Sequence, residues 1–358
     1  MVYDSKNVTV YQNLCVGCVG KCIHPVIPAA QDRLRRDLSE SSHFDGRRSQ
    51  TMEKRVLLIY NPRAGKGQFL AQLHEVIDIL VKDGWTVEVY PTQGPGDAVI
   101  KTSSLGEGYD MLIPAGGDGT LDEVVTGMLR AGRDIPIGYI PVGSTNDYAA
   151  SLGIPFQTGD AVRMILSGKP VRLDAGIVNR EHIFIYVAAF GAFTDVAYTT
   201  DQNLKNTIGH AAYIVEALKS IGNMKPYHAV VEANGRTREN DYILGMVTNS
   251  TSVGGIRNML GPDVALDDGL FEVTLVQNPK NLLEMQEILT ALLTQNFNTG
   301  LVEYFKTDHL VMTSEEEIPW TFDGEYGGAY QSLDLENRKQ TIRIIRGEAK
   351  KAELISIQ

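Results

Sequence analysis

From Arg55 onward the chain alternates between short apolar runs and longer stretches whose apolar residues recur every three or four positions. Val56–Tyr60 is a continuous apolar run, the pattern of a strand buried on both faces. Phe69, Leu73, Val76, Ile77 and Leu80 follow at helical spacing. Trp85–Tyr90 and Met111–Ala115 predict a second and a third strand. Leu121, Val124, Val125, Met128 and Leu129 make a buried stripe on a helix over Leu121–Ala131, and Ile135–Val142 predicts a fourth strand. Further helices are predicted near Asp147–Leu152 and Asp160–Leu166. Strands alternating with helices predict an α/β domain with a parallel sheet wrapped on both sides. Such sheets bind ligands beyond the carboxyl ends of their strands.

Near Val171 the texture changes. Val171–Val178, His182–Ala189, Tyr227–Ala233, Asp241–Thr248, Phe271–Val276, His309–Thr313 and Trp320–Phe322 are short strand-like runs. Asn234-Gly235 between two of them is hairpin chemistry. Helical patterns interrupt at Ala211–Ile221 and Leu282–Leu293. The expectation is an α/β domain over residues 52–172 and a mainly antiparallel β-rich second domain over 173–335. The last runs, Leu333–Leu335 and Thr341–Ile345, either finish the second domain or bring the segment 336–358 back to the first.

The 358 residues are 43% hydrophobic, enough for two cores. A formal net charge of −11 argues against non-specific nucleic-acid binding and against purely electrostatic docking on an anionic membrane. No stretch reaches the ~18 apolar residues of a membrane-spanning helix, and no signal peptide is evident. A cytoplasmic protein is the expectation, with a homodimer left open. All three cysteines, Cys15, Cys18 and Cys22, precede the first strand, with His24 just beyond. No second ligand pair follows at finger-like spacing, so a metal site is not expected there. Gln31–Arg48 is polar, charged and weakly periodic. Residues 1–51 therefore read as a disordered tail, either an over-extended start or a flexible appendage.

Three loops carry the chemistry. Gly116-Gly117-Asp118-Gly119-Thr120 follows the third strand and opens a helix, where backbone N–H groups can meet a phosphate at the positive helix end. Thr120 and Glu123 fit a capping box. Asp118 in such a nest makes electrostatic sense if a divalent cation shares the site. After the first strand comes Asn61-Pro62-Arg63-Ala64-Gly65-Lys66-Gly67, which fails the Walker A pattern because the leading glycine is missing and Gly67 follows the lysine. Asn61 is placed to hold that turn through its side chain. After the fourth strand comes Gly143-Ser144-Thr145-Asn146-Asp147, in which Asp147 either caps a helix or joins Asp118 in steering a cation.

Together with Ala265-Leu266-Asp267-Asp268-Gly269-Leu270 and Asp323-Gly324-Glu325, these loops resemble the diacylglycerol kinase catalytic-domain family, the bacterial lipid kinases related to sphingosine kinases. The likeness runs from about Val56 to the end of the chain. A lone Gly116–Thr120 signature is shared with NAD and phosphofructo-type kinases; the four motifs in this order are not. The resemblance implies an ATP-binding first domain and a β-rich lipid-substrate domain. It implies that Asn61, Pro62, Arg63, Ala64 and Gly65 line the ATP phosphates and that Thr92 contacts the nucleotide. Gly117, Asp118, Gly119, Thr120, Leu121, Asp122, Glu123, Ser144 and Asp147 would complete that site. Most members have Thr where Ser144 stands, and the hydroxyl is kept. A structural Mg²⁺ would be held by the Asp268 carboxylate and the carbonyls of Ala265 and Leu270. Glu325 matches the family's general base, with Asp323 beside it; in an extended segment both side chains would face one side.

The implied reaction is transfer of the γ-phosphoryl group of ATP, with Mg²⁺, to the hydroxyl of a diacylglycerol-like lipid. It needs peripheral contact with the inner face of the cell membrane and an apolar acceptor groove. Phe190-Gly191-Ala192-Phe193 and Val253-Gly254-Gly255-Ile256 are the segments considered for its wall. Two other readings stay open: an NAD kinase, and a nucleotide- or lipid-binding regulator without turnover.

Overall fold

The structure of the protein, a computed structural model, describes residues 8–10, 53–191, 225–254, 256–257, 264–294, 296–297 and 299–347. Cys15, Cys18, Cys22, His24, the helix expected over Ala211–Ile221, and Ala192, Phe193 and Gly255 of the expected groove lie outside these residues.

The first unit is a parallel sheet of β1 (Val8–Val10), β2 (Lys54–Tyr60), β3 (Trp85–Pro91), β4 (Met111–Gly116) and β5 (Ile140–Pro141), in the order β1-β3-β2-β4-β5. The edge strand β1 comes from the segment read from sequence as a disordered tail. Val56–Ile59 and Leu112–Ile113 are fully buried, as strands sandwiched between helices must be. The covering helices are α1 (Phe69–Lys82), α2 (Asp97–Ser103), α3 (Asp118–Arg130), α4 (Asp147–Leu152) and α5 (Thr158–Ser167). The predicted stripes face inward: Phe69, Val76 and Leu80 on α1, and Leu121, Val124, Val125 and Met128 on α3. The chain leaves β2 toward β3 on one side and returns to β4 on the other. The crevice where that order reverses lies between the loops after β2 and β4, the usual ligand site of such a sheet.

The expected fourth strand is shorter than predicted. Only Ile140 and Pro141 pair as a strand, and Ile137 contributes isolated bridges to Leu112 and Ile344. Pro136 and Pro141 have no N–H for a ladder, and a side chain at Gly138 would collide with Ile165 on α5.

The second unit is an antiparallel sheet built from β6 (Lys169–Val178), β7 (His182–Phe184), β8 (Val187–Gly191), β9 (Tyr227–Ala233), β10 (Arg236–Thr248), β13 (Phe271–Gln277), β14 (Val302–Thr307), β15 (His309–Phe322) and β16 (Glu325–Arg346). A short β11–β12 pair (Ser252–Val253 and Ile256–Arg257) and α6 (Leu282–Thr294) complete it. The two halves of β10 pair with β8 and β9, and so do the two ends of β15. The strands thereby wrap a core containing Phe184, Phe190, Phe271 and Trp320. Phe190 is fully buried, with its ring centroid 4.9 Å from Trp320, so core packing rather than a groove wall explains it. The run His182–Ala189 splits into β7 and β8, whereas the runs from His309 to Phe322 fuse into one strand. At its far end β16 pairs with β6, while Ile342, Ile344 and Ile345 pack into the core of the first unit. Asp134 holds that junction through Arg172 (2.7 Å) and Arg343 (3.1 Å).

Candidate active site

Four loops at the carboxyl edge of the parallel sheet, faced by Glu325 from the second unit, line a cleft of about 760 Å³. The loop after β2 contributes Asn61, Pro62, Arg63, Ala64 and Gly65, and the loop after β3 contributes Thr92, Gln93, Gly94 and Pro95. Gly117, Gly119, Thr120 and Glu123 come from the start of α3, and Gly143 and Ser144 from the loop after β5. The thirteen-residue helix α3 opens onto this space, so the positive end of its dipole and its first N–H groups favour an anion there.

Local hydrogen bonds explain the loop shapes. Asn61 takes an N–H from Arg63 on its side-chain oxygen (2.9 Å), and its own N–H donates to Ala115 (3.0 Å). Asn146 clamps the Gly143 peptide from both sides: its Oδ1 accepts the Gly143 N–H and its Nδ2 donates to the Gly143 carbonyl, each at 2.9 Å. A Cβ on Gly143 would run into the Gly117 backbone, so the two loops meet main chain to main chain.

The carboxylates divide into one that faces the cleft freely and several with structural work. Glu325 is exposed to the cleft and lies against α3: a Cβ built on Gly119 would stand 2.7 Å from its Oε1. Asp118 does not point at the phosphate nest. Its oxygens accept the N–H groups of Asp147 (2.9 Å) and Tyr148 (3.2 Å), so it caps α4 from another loop. Burial, with Asp147 beside it, pushes its pKa up to about 6. Asp147 is buried and takes a hydrogen bond from Ser252 (2.7 Å), joining α4 to the start of β11 in the second unit. Leu121 is a fully buried core residue.

The capping box expected between Thr120 and Glu123 does not form. The helix starts at Asp118, and Glu123 reaches across to accept the N–H groups of Gly96 (2.8 Å) and Ala98 (3.1 Å) at the start of α2. Burial of that carboxyl raises its pKa. Thr120 instead packs its side chain on Gly116.

Asp323 and Glu325 do not share a face of an extended segment. Asp323 and Gly324 have φ of +50° and +83°, the two left-handed positions of a tight hairpin between β15 and β16. Asp323 points inward, where its carboxylate accepts the N–H groups of Ile185 (2.7 Å), Tyr186 (2.9 Å) and Val187 (2.9 Å). Ile185 and Tyr186 turn out of the strand ladder to meet it, which separates β7 from β8, and Val187 opens β8. Asp122 is half-buried and outside the cleft lining, with its carboxyl in hydrogen-bonding reach of Asp323.

No residue from Ala265 to Leu270 lines this cleft. Asp268 Oδ1 accepts the Leu270 N–H (2.9 Å), and Asp174 accepts the N–H groups of Gly269 and Gln340 (2.7 Å each). The Lys306 ammonium stands 3.7 Å from Asp268 Oδ2 and 3.0 Å from Glu272. Glu272 is fully buried, and burial raises its pKa to about 7 against the pull of Lys306. The lysine is thus a stand-in cation in an oxygen-rich loop. Hard oxygen donors of this kind fit Mg²⁺.

Residues 55–178 match the family model for the diacylglycerol kinase catalytic domain, and residues 187–346 match that for the YegS C-terminal NAD kinase beta sandwich-like domain. A diacylglycerol kinase of Staphylococcus carnosus strain TM300 is 36% identical over 307 residues, 85% of this chain and 99% of the relative. The chain belongs to the diacylglycerol kinase family. A Staphylococcus aureus diacylglycerol kinase (strain bovine RF122 / ET3-1) is 34% identical over 279 residues, 77% of this chain and 88% of that one. A crystal structure of a candidate diacylglycerol kinase from Bacillus anthracis strain Sterne superimposes with a TM-score of 0.70 at 25% identity, covering 83% of this chain and 98% of that one. The protein is a lipid kinase with an α/β unit and an antiparallel β-rich unit. Among its described residues no helix is long and apolar enough to cross a membrane. Sequence reasoning did not single out Gln93, Gly94, Pro95 and Gly143 as lining residues of the kinase's cleft. Gly143 was legible in its motif; the other three lack a signal beyond a Gly-Pro turn.

Proposed function

We propose that this kinase transfers the γ-phosphoryl group of ATP to the hydroxyl of diacylglycerol or a closely similar lipid. One observation carries the reading: Glu325 lies against Gly119, at the helix end that favours phosphate, whereas Glu123, the other carboxylate among the described lining residues, is held by the N–H groups of Gly96 and Ala98. Asn61, Gly65, Gly117, Ser144 and the first N–H groups of α3 would hold the triphosphate, with Arg63 and Thr92 also lining the cleft. Phosphoryl transfer depends on positioning and charge neutralisation. The lipid oxygen forms a bond to the γ-phosphorus, the bond from that phosphorus to the bridging oxygen breaks, and ADP leaves. Glu325 takes the proton from the lipid hydroxyl.

Mg²⁺, when bound to the nucleotide, neutralises phosphate charge. A second, structural ion would sit on Asp268 with the Ala265 and Leu270 carbonyls and would take over the role of Lys306. Exposed Leu282 and Leu283, next to Lys280, support peripheral contact with a membrane carrying the lipid. Labelled ATP, Mg²⁺ and three acceptor conditions test the reading: diacylglycerol in mixed micelles, NAD, and neither. Label in the lipid is expected. Label in NAD would move the protein to the reading that the NAD kinase-like second domain invites, and no label in either would leave a regulator.

A further inference from the structure

Asp122 has no place in the cleft lining, and its surroundings are unusual. Its Oδ1 is sealed from solvent with no hydrogen-bond partner among the described residues. Its carboxyl lies in hydrogen-bonding reach of Asp323, which is only 5% exposed. Two carboxylates are acceptors only, so a bond between them requires one proton. Both oxygens of Asp323 already accept backbone N–H groups, Oδ1 from Tyr186 and Val187 and Oδ2 from Ile185. Those donors favour the anion at Asp323 and place the proton on Asp122.

The pair also joins two units. Asp122 is on α3, and Asp323 is the first turn residue of the hairpin that delivers Glu325 two positions later. We propose that Asp122 is a positioning residue: its carboxyl donates a hydrogen bond to Asp323 and so pins the β15–β16 hairpin to α3, holding Glu325 over the start of that helix. The assignment rests on the kinase reading for its consequence, and on the buried contact for its existence.

The surrounding charges set the sign. Asp323 and Glu325 from the hairpin and Glu123 from α3 are all acidic and, with burial, drive the Asp122 pKa well up. Asp118 acts on Asp323 in the same direction, and Tyr148 and Tyr186, both buried nearby, feel the charge of Asp323. A raised folded-state pKa keeps the bond intact at low pH and loses it as pH rises through that value. Above it, two adjacent anions repel, and the hairpin moves off α3 with Glu325.

Two substitutions separate this from a packing role. Asp122→Asn keeps a donor that does not titrate; Asp122→Leu removes it. Rates on diacylglycerol micelles are to be followed from about pH 6 to about pH 10. In the wild type kcat should fall on the alkaline side, whereas Asp122→Asn should hold its rate there, raising the ratio of alkaline to neutral kcat by about threefold or more. Asp122→Leu should lose about tenfold or more in kcat at neutral pH, where the wild type keeps the bond, while its KM for ATP stays within about threefold. An alkaline limb in Asp122→Asn that matches the wild type would overturn the proposal, and so would full kcat in Asp122→Leu. A second readout needs no activity: the difference in denaturation midpoint between wild type and Asp122→Asn across the same pH range. It should grow in favour of the variant as pH rises, and a flat difference would overturn the assignment. Should the wild type phosphorylate no lipid, the kinase reading fails while this measurement still decides the contact.

Discussion

Gly119→Ala should separate folding from catalysis. Gly119 has helical backbone angles as the second residue of α3, so alanine is conformationally allowed there. Replacing a helical glycine by alanine stabilises by up to about 0.5–1 kcal/mol. The new methyl, however, would stand 2.7 Å from Glu325 Oε1, where ordinary contact begins at 3.4 Å. The carboxylate must therefore retreat by roughly 0.7 Å, the difference of those two distances. Glu325 is the flexible end of an exposed side chain, so the retreat costs little in stability. In catalysis a misplacement of about 1 Å is worth about 10²-fold, so a loss of kcat on the order of tens-fold is expected. ATP affinity should change little, because the displaced group is the proton acceptor. The assay is steady-state kinetics with varied ATP at saturating diacylglycerol, paired with urea denaturation. Wild-type kcat in a normally folded Gly119→Ala protein would refute the placement of Glu325 at the helix end.

Gly143→Ala should act differently, since its methyl would meet the Gly117 main chain, which has no flexible end to yield. It should cost about 1–3 kcal/mol of stability and raise the KM for ATP, as read by the same two assays. Lys306→Met should leave buried Glu272 without its cation and destabilise by about 3 kcal/mol on the alkaline side, and by less toward neutral and lower pH, where the carboxyl, no longer held down by the lysine, takes up a proton. Added Mg²⁺ should recover part of that loss if the Ala265–Leu270 loop takes an ion, and no recovery would argue against a metal there. The Asp118 pKa is raised to about 6, so its contribution to stability is fully present below the ordinary carboxylate range and is lost as pH rises through about 6. Denaturation of Asp118→Asn between about pH 4 and about pH 7 should lack that component, and parallel wild-type and variant curves would contradict it.

What the sequence made legible was local or repeated. The alternation of apolar runs and helical stripes marked both units, and the Gly116–Thr120 and Asn234-Gly235 segments carry their conformations in their own residues. The helix α2 went unmarked because seven residues are too short for a clear period. The misjudged carboxylates have partners far away in the chain. Asp118 caps a helix 29 residues on, Glu123 caps one 27 residues back from its own position, and Asp323 binds N–H groups 136 to 138 residues earlier. A short acidic motif shows that a carboxylate is present but not which N–H groups it will meet. The same limit split the run His182–Ala189, since the break is imposed by Asp323 from the far hairpin.

Glu325→Gln offers the most direct test of the central claim that this carboxylate takes the lipid's proton in a cleft that holds ATP. Turnover on diacylglycerol should fall by about 10²-fold or more, while ATP binding measured by calorimetry stays within a few-fold of wild type. Near-normal turnover in a variant that binds ATP normally would contradict the account.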